Sequence, residues 1–196
     1  MNLKILSLVI IGVCILLPDV CYAFLSKDVH LLNMQNGLAD NTVSAVYKDK
    51  EGFIWFGTRN GLNRYDGRRI TNFERSRSYP SISNLKEVFD GVLAFVDNGV
   101  FSAFDLKKER FLSVVSSSGQ GIPSRGMLQR NDSLVWVISG SELHLMKRCA
   151  SKEGELRLRV QEKYTGWNNQ DNLLVAITYS SDKKLSLIHI SEPTRH

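Results

Sequence analysis

The chain has 196 residues, of which 43% are hydrophobic and 23% charged, with a net charge of +5. This length suffices for one domain with a sizeable core, and both fractions are ordinary for a globular protein. The basic residues are scattered, with Arg68-Arg69, Lys107-Lys108 and Lys183-Lys184 the densest groups, which excludes a basic run tracking nucleic-acid phosphates.

The N-terminus has the pattern of a secretory signal peptide. Lys4 supplies a positive start, residues 5–17 are apolar, and Pro18 breaks the run before Cys21-Tyr22-Ala23. Small side chains at the positions that signal peptidase inspects place cleavage after Ala23, so 1–23 is read as signal and the exported chain starts at Phe24. The apolar run is short for a bilayer span, so an uncleaved anchor is the weaker alternative. Pro18-Asp19-Val20 before Cys21 makes a poor lipobox. With Cys14 and Cys21 removed only Cys149 remains, which leaves no internal disulfide in this piece.

Residues 41–66 hold the clearest unit of a repeat. Val43, Ala45 and Tyr47 alternate with Ser44, Val46 and Lys48, which predicts a strand. Lys50-Glu51-Gly52 turns the chain into an apolar strand over 53–58. Arg59-Asn60-Gly61 is a hairpin turn, 62–65 a third strand, Asp66-Gly67 another turn, and 69–73 a fourth strand. Leu31, Leu32 and Met34, just before this unit, are expected to form a strand that completes a last blade lying outside this chain. Four short antiparallel strands in about 40 residues describe one propeller blade.

The unit recurs downstream. Asp90-Gly91 precedes a strand over 92–96, and Asn98-Gly99 leads to 100–104, Asp105 and Phe111. Gly61 to Gly99 and Phe73 to Phe111 are both 38 apart. A third unit carries Leu134-Val135-Trp136-Val137, Gly140 and Leu143-His144-Leu145, and Trp55 to Trp136 and Leu62 to Leu143 are both 81 apart. A fourth begins near Asp171-Asn172, with Leu174, Ala176 and Thr178 alternating. The reading is all-β: a partial β-propeller of about three blades plus the start of a fourth, over 24–184, after the signal peptide. Such an open fan leaves inter-blade faces uncovered and is expected not to make a stable closed propeller.

Residues 185–195, Leu-Ser-Leu-Ile-His-Ile-Ser-Glu-Pro-Thr-Arg, match the translation of a transposase-type sequencing adaptor at eleven consecutive positions. Residues 185–196 are therefore expected to be non-native read-through, and His189 and His196 to carry no function.

The repeat is similar to a known one. Gly37-Leu38, Asn41, Val43, Asp49, Gly52, Trp55, Gly57-Thr58, Gly61-Leu62 and Tyr65-Asp66 resemble the two-component regulator propeller repeat. The stretch 31–73 looks like the start of the periplasmic part of a hybrid two-component sensor of the Bacteroidetes type. The resemblance implies that the full-length protein carries further propeller blades, an Ig-like domain, a membrane helix, a histidine kinase, a receiver and an AraC-type DNA-binding domain. It also implies an inner-membrane anchor, a homodimer and an oligosaccharide ligand. No catalytic domain lies in this stretch.

The motif residues Gly52, Trp55, Gly57, Gly61, Tyr65, Asp66 and Trp136 are read as structural. Trp55 and Phe53 pack between blades, the glycines serve tight turns and close approach, and Asp49 and Asp66 bond turn backbone. Clustered His or Cys for a metal are not found, since the native part has only His30, His144 and Cys149. Gly119-Gln120-Gly121 with Gly126 has the wrong spacing for a phosphate loop and contains Pro123. No cofactor is expected, and no contact with nucleic acid.

Blade geometry places the loops joining second to third strands, and fourth to next first strands, on one face. That face is expected to hold 59–61, 97–99, 139–141, 37–41, 76–84, 116–125 and 166–172. Ligand contacts concentrate on such loops. Sugars pair aromatic platforms with amide, carboxylate or guanidinium groups, which makes Arg59, Asn60, Tyr79, Asp97, Trp167 and Asn168 the candidate contacts. The competing readings are an exported propeller enzyme such as a polysaccharide lyase, and a protein-interaction propeller.

Overall fold

Every described element but one is a strand, for the reason the alternation gives: side chains two apart share a face, and a blade in the interior needs both faces apolar. The computed structural model describes residues 30–74, 81–165, 172–179 and 185–191. The signal peptide and its cleavage site lie outside the described residues. The chain divides into two compact units, Met1–Leu32 and Asn33–His196. Only 30–32 of the first are described, and they are irregular.

Within the second unit, blade 1 is β1 (Val43–Lys48), β2 (Ile54–Thr58), β3 (Gly61–Tyr65) and β4 (Ile70–Phe73), paired in that order. Blade 2 is β5 (Ile82–Phe89), β6 (Val92–Asp97), β7 (Val100–Asp105) and β8 (Arg110–Ser116). Blade 3 is β9 (Gly126–Asn131), β10 (Leu134–Ser139), β11 (Glu142–Cys149) and β12 (Glu155–Tyr164). A hairpin of β13 (Asn172–Tyr179) and β14 (Leu185–Ser191) follows. The innermost strands β1, β5, β9 and β13 contact one another in succession, as blades around an axis do.

Three apolar clusters separate the blades. Trp55, Leu62, Ile82, Leu85, Leu93, Phe95 and Phe104 lie between blades 1 and 2. Between blades 2 and 3 lie Val88, Val92, Ala94, Val96, Val135 and Val137 with their neighbours. Trp136, Ile138, Leu143 and Leu145 pack with Ile177 and Leu185. Parity assigns each residue: in β6, all of it buried, 93 and 95 face blade 1 while 92, 94 and 96 face blade 3. On β1, Ala45 and Tyr47 join the cluster with blade 2, whereas Val46 points the other way and is 61% exposed.

The structure departs from the sequence reading in three places. Leu31, Leu32 and Met34 form no strand: 30–33 is irregular, and Met34–Asn36 is a single 3-10 turn capped by the Asn33 side chain, which accepts from Gln35 and Asn36 N–H. The loop expected over 76–84 ends at Ser81, because β5 starts at Ile82. Asn84 has φ 55 and sits in a register shift, so the alternation of β5 changes phase midway. Finally, blades 2 and 3 are not separate sheets. Glu155, Leu156, Arg157 and Leu158 of β12 pair in parallel with Ser113, Val114, Val115 and Ser116 of β8, joining both blades into one eight-stranded sheet. Pairing of two outer edges removes two rows of open backbone groups.

Blades 1 and 2 approach closely where Ser44 and Gly57 of blade 1 meet Ile82 of blade 2. Ser44 Oγ donates to the carbonyls of Gly57 and Ile82. A Cβ on Gly57 would lie 2.6 Å from Ile82 Cγ2 and 2.9 Å from the Ile82 carbonyl oxygen. That carbonyl is held backbone, so the blades must move apart. Gly57→Ala is expected to destabilise the chain by about 1–3 kcal/mol, the usual overpacking range. Urea unfolding measures it, and an unchanged midpoint would rule out the close approach.

Ion pairs tie the seam of the joined sheet and the interior of blade 3. At the seam Glu153 accepts from Lys108 Nζ at 2.7 Å and Arg110 at 2.9 Å; within blade 3 Glu142 of β11 accepts from Lys163 of β12 at 2.6 Å and from His144. The Lys108 and then Arg110 contacts hold Glu153 below the ordinary glutamate range, and Lys163 and then His144 do the same for Glu142. A carboxyl whose folded value is depressed stabilises the fold above its unfolded value, and that contribution fades as pH falls through the folded one. Thermal midpoints are therefore expected to drop as pH is lowered below the ordinary glutamate value of 4.5. Glu153→Gln should flatten part of that acid slope; an identical slope in the variant would remove the seam from the explanation.

Candidate functional site

The turns of each blade emerge at two opposite ends. At one end, the turn between the second and third strands bonds to the loop that enters a blade. Asn60 Nδ2 donates to Ala39 O at 3.2 Å, Asn98 N to Ser81 O at 3.3 Å, and Ser124 N to Gly99 O at 2.8 Å. Gly61, Gly99 and Gly140 occupy the second-to-third-strand turns of blades 1, 2 and 3 with φ of 126, 79 and 60, a region that L side chains avoid.

This face contains the sequence candidates. Arg59 and Asn60 are adjacent and exposed in the blade 1 turn. Asp97 ends β6 in the corresponding turn of blade 2, but it is fully buried and accepts from Asn98 Nδ2 at 3.2 Å. Its carboxylate is thus part of the turn's interior and does not present itself to a ligand on the surface. Tyr79, Trp167 and Asn168 lie outside the described residues.

The opposite end is built by aspartates. Asp49 Oδ1 accepts from Glu51 N and Phe53 N at 3.0 and 2.9 Å, and its Oδ2 from Trp55 Nε1 at 2.7 Å. Asp66 accepts from Arg68 and Arg69 N–H, both at 2.8 Å, and those bonds hold its carboxyl below the ordinary aspartate range. Asp105 repeats the arrangement with Lys107 and Lys108. Tyr65 closes its own turn by donating to Gly67 O at 2.9 Å. Gly52 and Gly67 have φ of 94 and 93.

Between these turns of blades 1 and 2 opens a cleft of about 460 Å³. Asp49, Lys50, Glu51 and Phe53 line one side, and Glu87, Asp90, Lys107 and Glu109 the other, with Trp55 and Arg64 also in its wall. Arg64 is mostly buried: it pairs with Glu109 and lies over the rings of Phe53 and Trp55 at 4.8 and 5.6 Å. Lys50 Nζ reaches Glu87 at 3.2 Å and Asp90 at 3.4 Å, and Lys107 reaches Asp90 at 3.7 Å. Glu87 is largely buried and also accepts from Gly91 N at 3.1 Å and Tyr47 OH at 3.4 Å. Burial first, and Glu87 second, raise the Tyr47 phenol above its ordinary value; Glu87, then Asp90, raise Lys50.

Sequence reasoning did not single out this cleft. Its charges are split among three turns, 49–51, 87–91 and 106–109, which only the blade-to-blade stacking brings together. The signal was present as charged residues bracketing Gly52 and Gly91, and the missed strand β5 hid the contribution of Glu87.

Among the described residues no group of three or more His, Cys, Asp or Glu could hold a metal ion, and no helix is long and apolar enough to cross a membrane. His144 is mostly buried and bonds Glu142 at 2.9 Å.

Comparison with known proteins identifies the blade. Residues 37–60 match the family described as Two component regulator propeller. No curated protein matches the chain. Among solved structures, the extracellular domain assigned to the hybrid two component system BT3049 of B. thetaiotaomicron is similar with a TM-score of 0.57 and 19% identity, covering 81% of this chain and 23% of that one. The extracellular domain assigned to BT4673 of the same organism gives 0.60 and 15%, covering 82% and 24%. The fold is that of a β-propeller. The family match covers the loop into blade 1 with β1 and β2, and the chain spans about a quarter of the length of those extracellular domains.

Proposed function

We propose that this chain is part of the exported, periplasmic sensor region of a hybrid two-component regulator, anchored in the inner membrane, and that the ligand it senses is an oligosaccharide. The match of 37–60 to the two-component regulator propeller carries the reading. The likeness in fold to two extracellular domains assigned to hybrid two component systems supports it. The mechanism that fits is binding rather than chemistry. A propeller holds loops of several blades on a rigid frame, and a ligand that bridges blades shifts the population between two arrangements of the sensor. Further blades, a membrane helix, a kinase and DNA-binding parts, and a second copy as dimer partner, complete the proposed regulator.

Sequencing of the genomic locus beyond the codon for Lys184 tests this reading. An open frame running through further propeller repeats into a histidine kinase is the expected result. A stop codon soon after the last blade would favour the lyase or the plain interaction propeller.

A further inference from the structure

We infer that the cleft between the turns of blades 1 and 2 that Asp49 and Glu87 anchor, on the face opposite Arg59 and Asn60, is a saccharide-binding site that takes neutral or amine-bearing sugars and rejects acidic ones. The inference rests on the sensor reading for its ligand class and adds the place and the charge selectivity.

Size is the first ground. The cleft measures about 460 Å³, within the ~300–1,000 Å³ of small-molecule sites. A second hollow of about 290 Å³, lined by Tyr47, Lys50, Glu87, Asp90, Gln129 and Asp132, shares Lys50, Glu87 and Asp90 with it. The two together form a groove across the first turns of blades 1, 2 and 3, a shape suited to a chain of several units.

The second ground is the chemistry of the walls. Hydroxyl-rich ligands need acceptors and donors in alternation, because each hydroxyl does both. Lys50 and Lys107 supply donors beside the acceptors Glu87 and Asp90, and Arg64 stands beside Glu109. Three of these groups can be reached by a ligand from solvent: the side chains of Lys50, Lys107 and Asp90 are each 73% or more exposed. Two are fixed. Glu87 is locked by Gly91 N and Tyr47, and Arg64 by the rings of Phe53 and Trp55. One fixed acceptor and one fixed donor beside exposed partners make a preorganised floor with an adaptable rim.

Charge supplies the selectivity. Asp49, Glu51, Glu87, Asp90, Glu109 and Asp132 outnumber Lys50, Arg64 and Lys107 along the groove. A carboxylate or sulfate on the ligand would bring a like charge into a concave, partly desolvated site, which costs affinity. A neutral hydroxyl or an ammonium meets no such penalty.

Calorimetric titration of the full chain at low ionic strength tests this, with cellotriose and a glucosamine trimer as the accepted probes and trigalacturonic acid as the rejected one. At least one of the first two is expected to bind, and the uronate to bind at least tenfold more weakly. Asp90→Lys, a change at an exposed side chain, is expected to weaken the glucosamine trimer at least tenfold and to narrow the gap to the uronate, with an unchanged melting temperature. Glu87→Gln, which keeps the shape of the floor, should weaken whichever probe binds. Equal binding of the uronate, or binding indifferent to both substitutions, overturns the inference. If Arg59→Ala abolishes binding while Asp90→Lys leaves it intact, the saccharide sensor stands and the site lies on the other face. If no probe binds, the inference is overturned as stated; the locus sequence still decides the sensor reading independently.

Discussion

Trp55→Ala is expected to remove about 3–5 kcal/mol of stability, the range for deleting a buried Trp side chain without collapse of the hole. Trp55 is 1% exposed and sits where two blades meet. Its ring stacks on Phe73 at 5.6 Å and meets Phe104 at 5.5 Å, and Phe73 and Phe104 touch each other at 4.8 Å. Removing the indole therefore strips contacts from a cluster whose members come from both blades, and neither backbone can close over the gap without shifting a whole sheet. The indole N–H matters separately, because it occupies Asp49 Oδ2, whose other oxygen holds the 49–53 turn. Trp55→Phe keeps most of the apolar area and loses that bond, so it should cost less than Trp55→Ala but more than ~1 kcal/mol. Denaturant unfolding of the two variants separates packing from hydrogen bonding. Against a total of ~5–15 kcal/mol for a domain, the alanine variant is expected to be unfolded in part at 37 °C. A loss below ~1 kcal/mol for Trp55→Ala would mean that the seam between blades 1 and 2 does not hold the fold together.

The blade pattern was legible because it is local. Turn residues and two-residue alternation fix β1 to β4, β6, β7 and β10 within a residue or two of their observed ends. What escaped is either out of phase or non-local. The strand β5 contains Asn84 at positive φ, and the slip places both Glu87 and Val88 on buried positions, so neither period fits the whole segment. The parallel pairing of β8 with β12 joins residues some 40 positions apart, and nothing in either strand's own pattern announces its partner. The candidate contacts show the same division. Arg59 and Asn60 are exposed because a hairpin turn exposes its tip, whereas Asp97, also next to a turn, is swallowed by it. Carboxylate chemistry at a turn is readable from sequence; whether the oxygen points outward depends on the neighbouring loop.

We propose that residues from Leu185 onward are foreign to the protein, and resequencing of the locus is expected to replace them with a glycine-containing strand resembling 52–58. The adaptor match over 185–195 motivates this, and the packing of blade 3 gives a physical reason of a different kind. Trp136 corresponds to Trp55 at a spacing of 81, but the same spacing puts Arg130 where Asp49 stands. Arginine cannot accept a hydrogen bond. Trp136 is buried, packed near Leu185 and Ile177, and its Nε1 is buried with no hydrogen-bond partner among the described residues. An orphaned buried donor costs about 1–3 kcal/mol, and native structures rarely leave one. The genuine continuation of the hairpin is expected to bring an acceptor to that indole. Two measurements follow. The chain with its genomic continuation should unfold at a higher denaturant concentration than the chain ending in 185–196. In the present chain Trp136→Phe should cost markedly less than Trp55→Phe, since only the latter breaks a bond, and the difference should shrink once the continuation is restored. Finding the same eleven codons in genomic DNA, followed by a genuine stop, would refute the foreign origin, and an equal cost for the two Trp→Phe changes in the present chain would refute the orphaned indole.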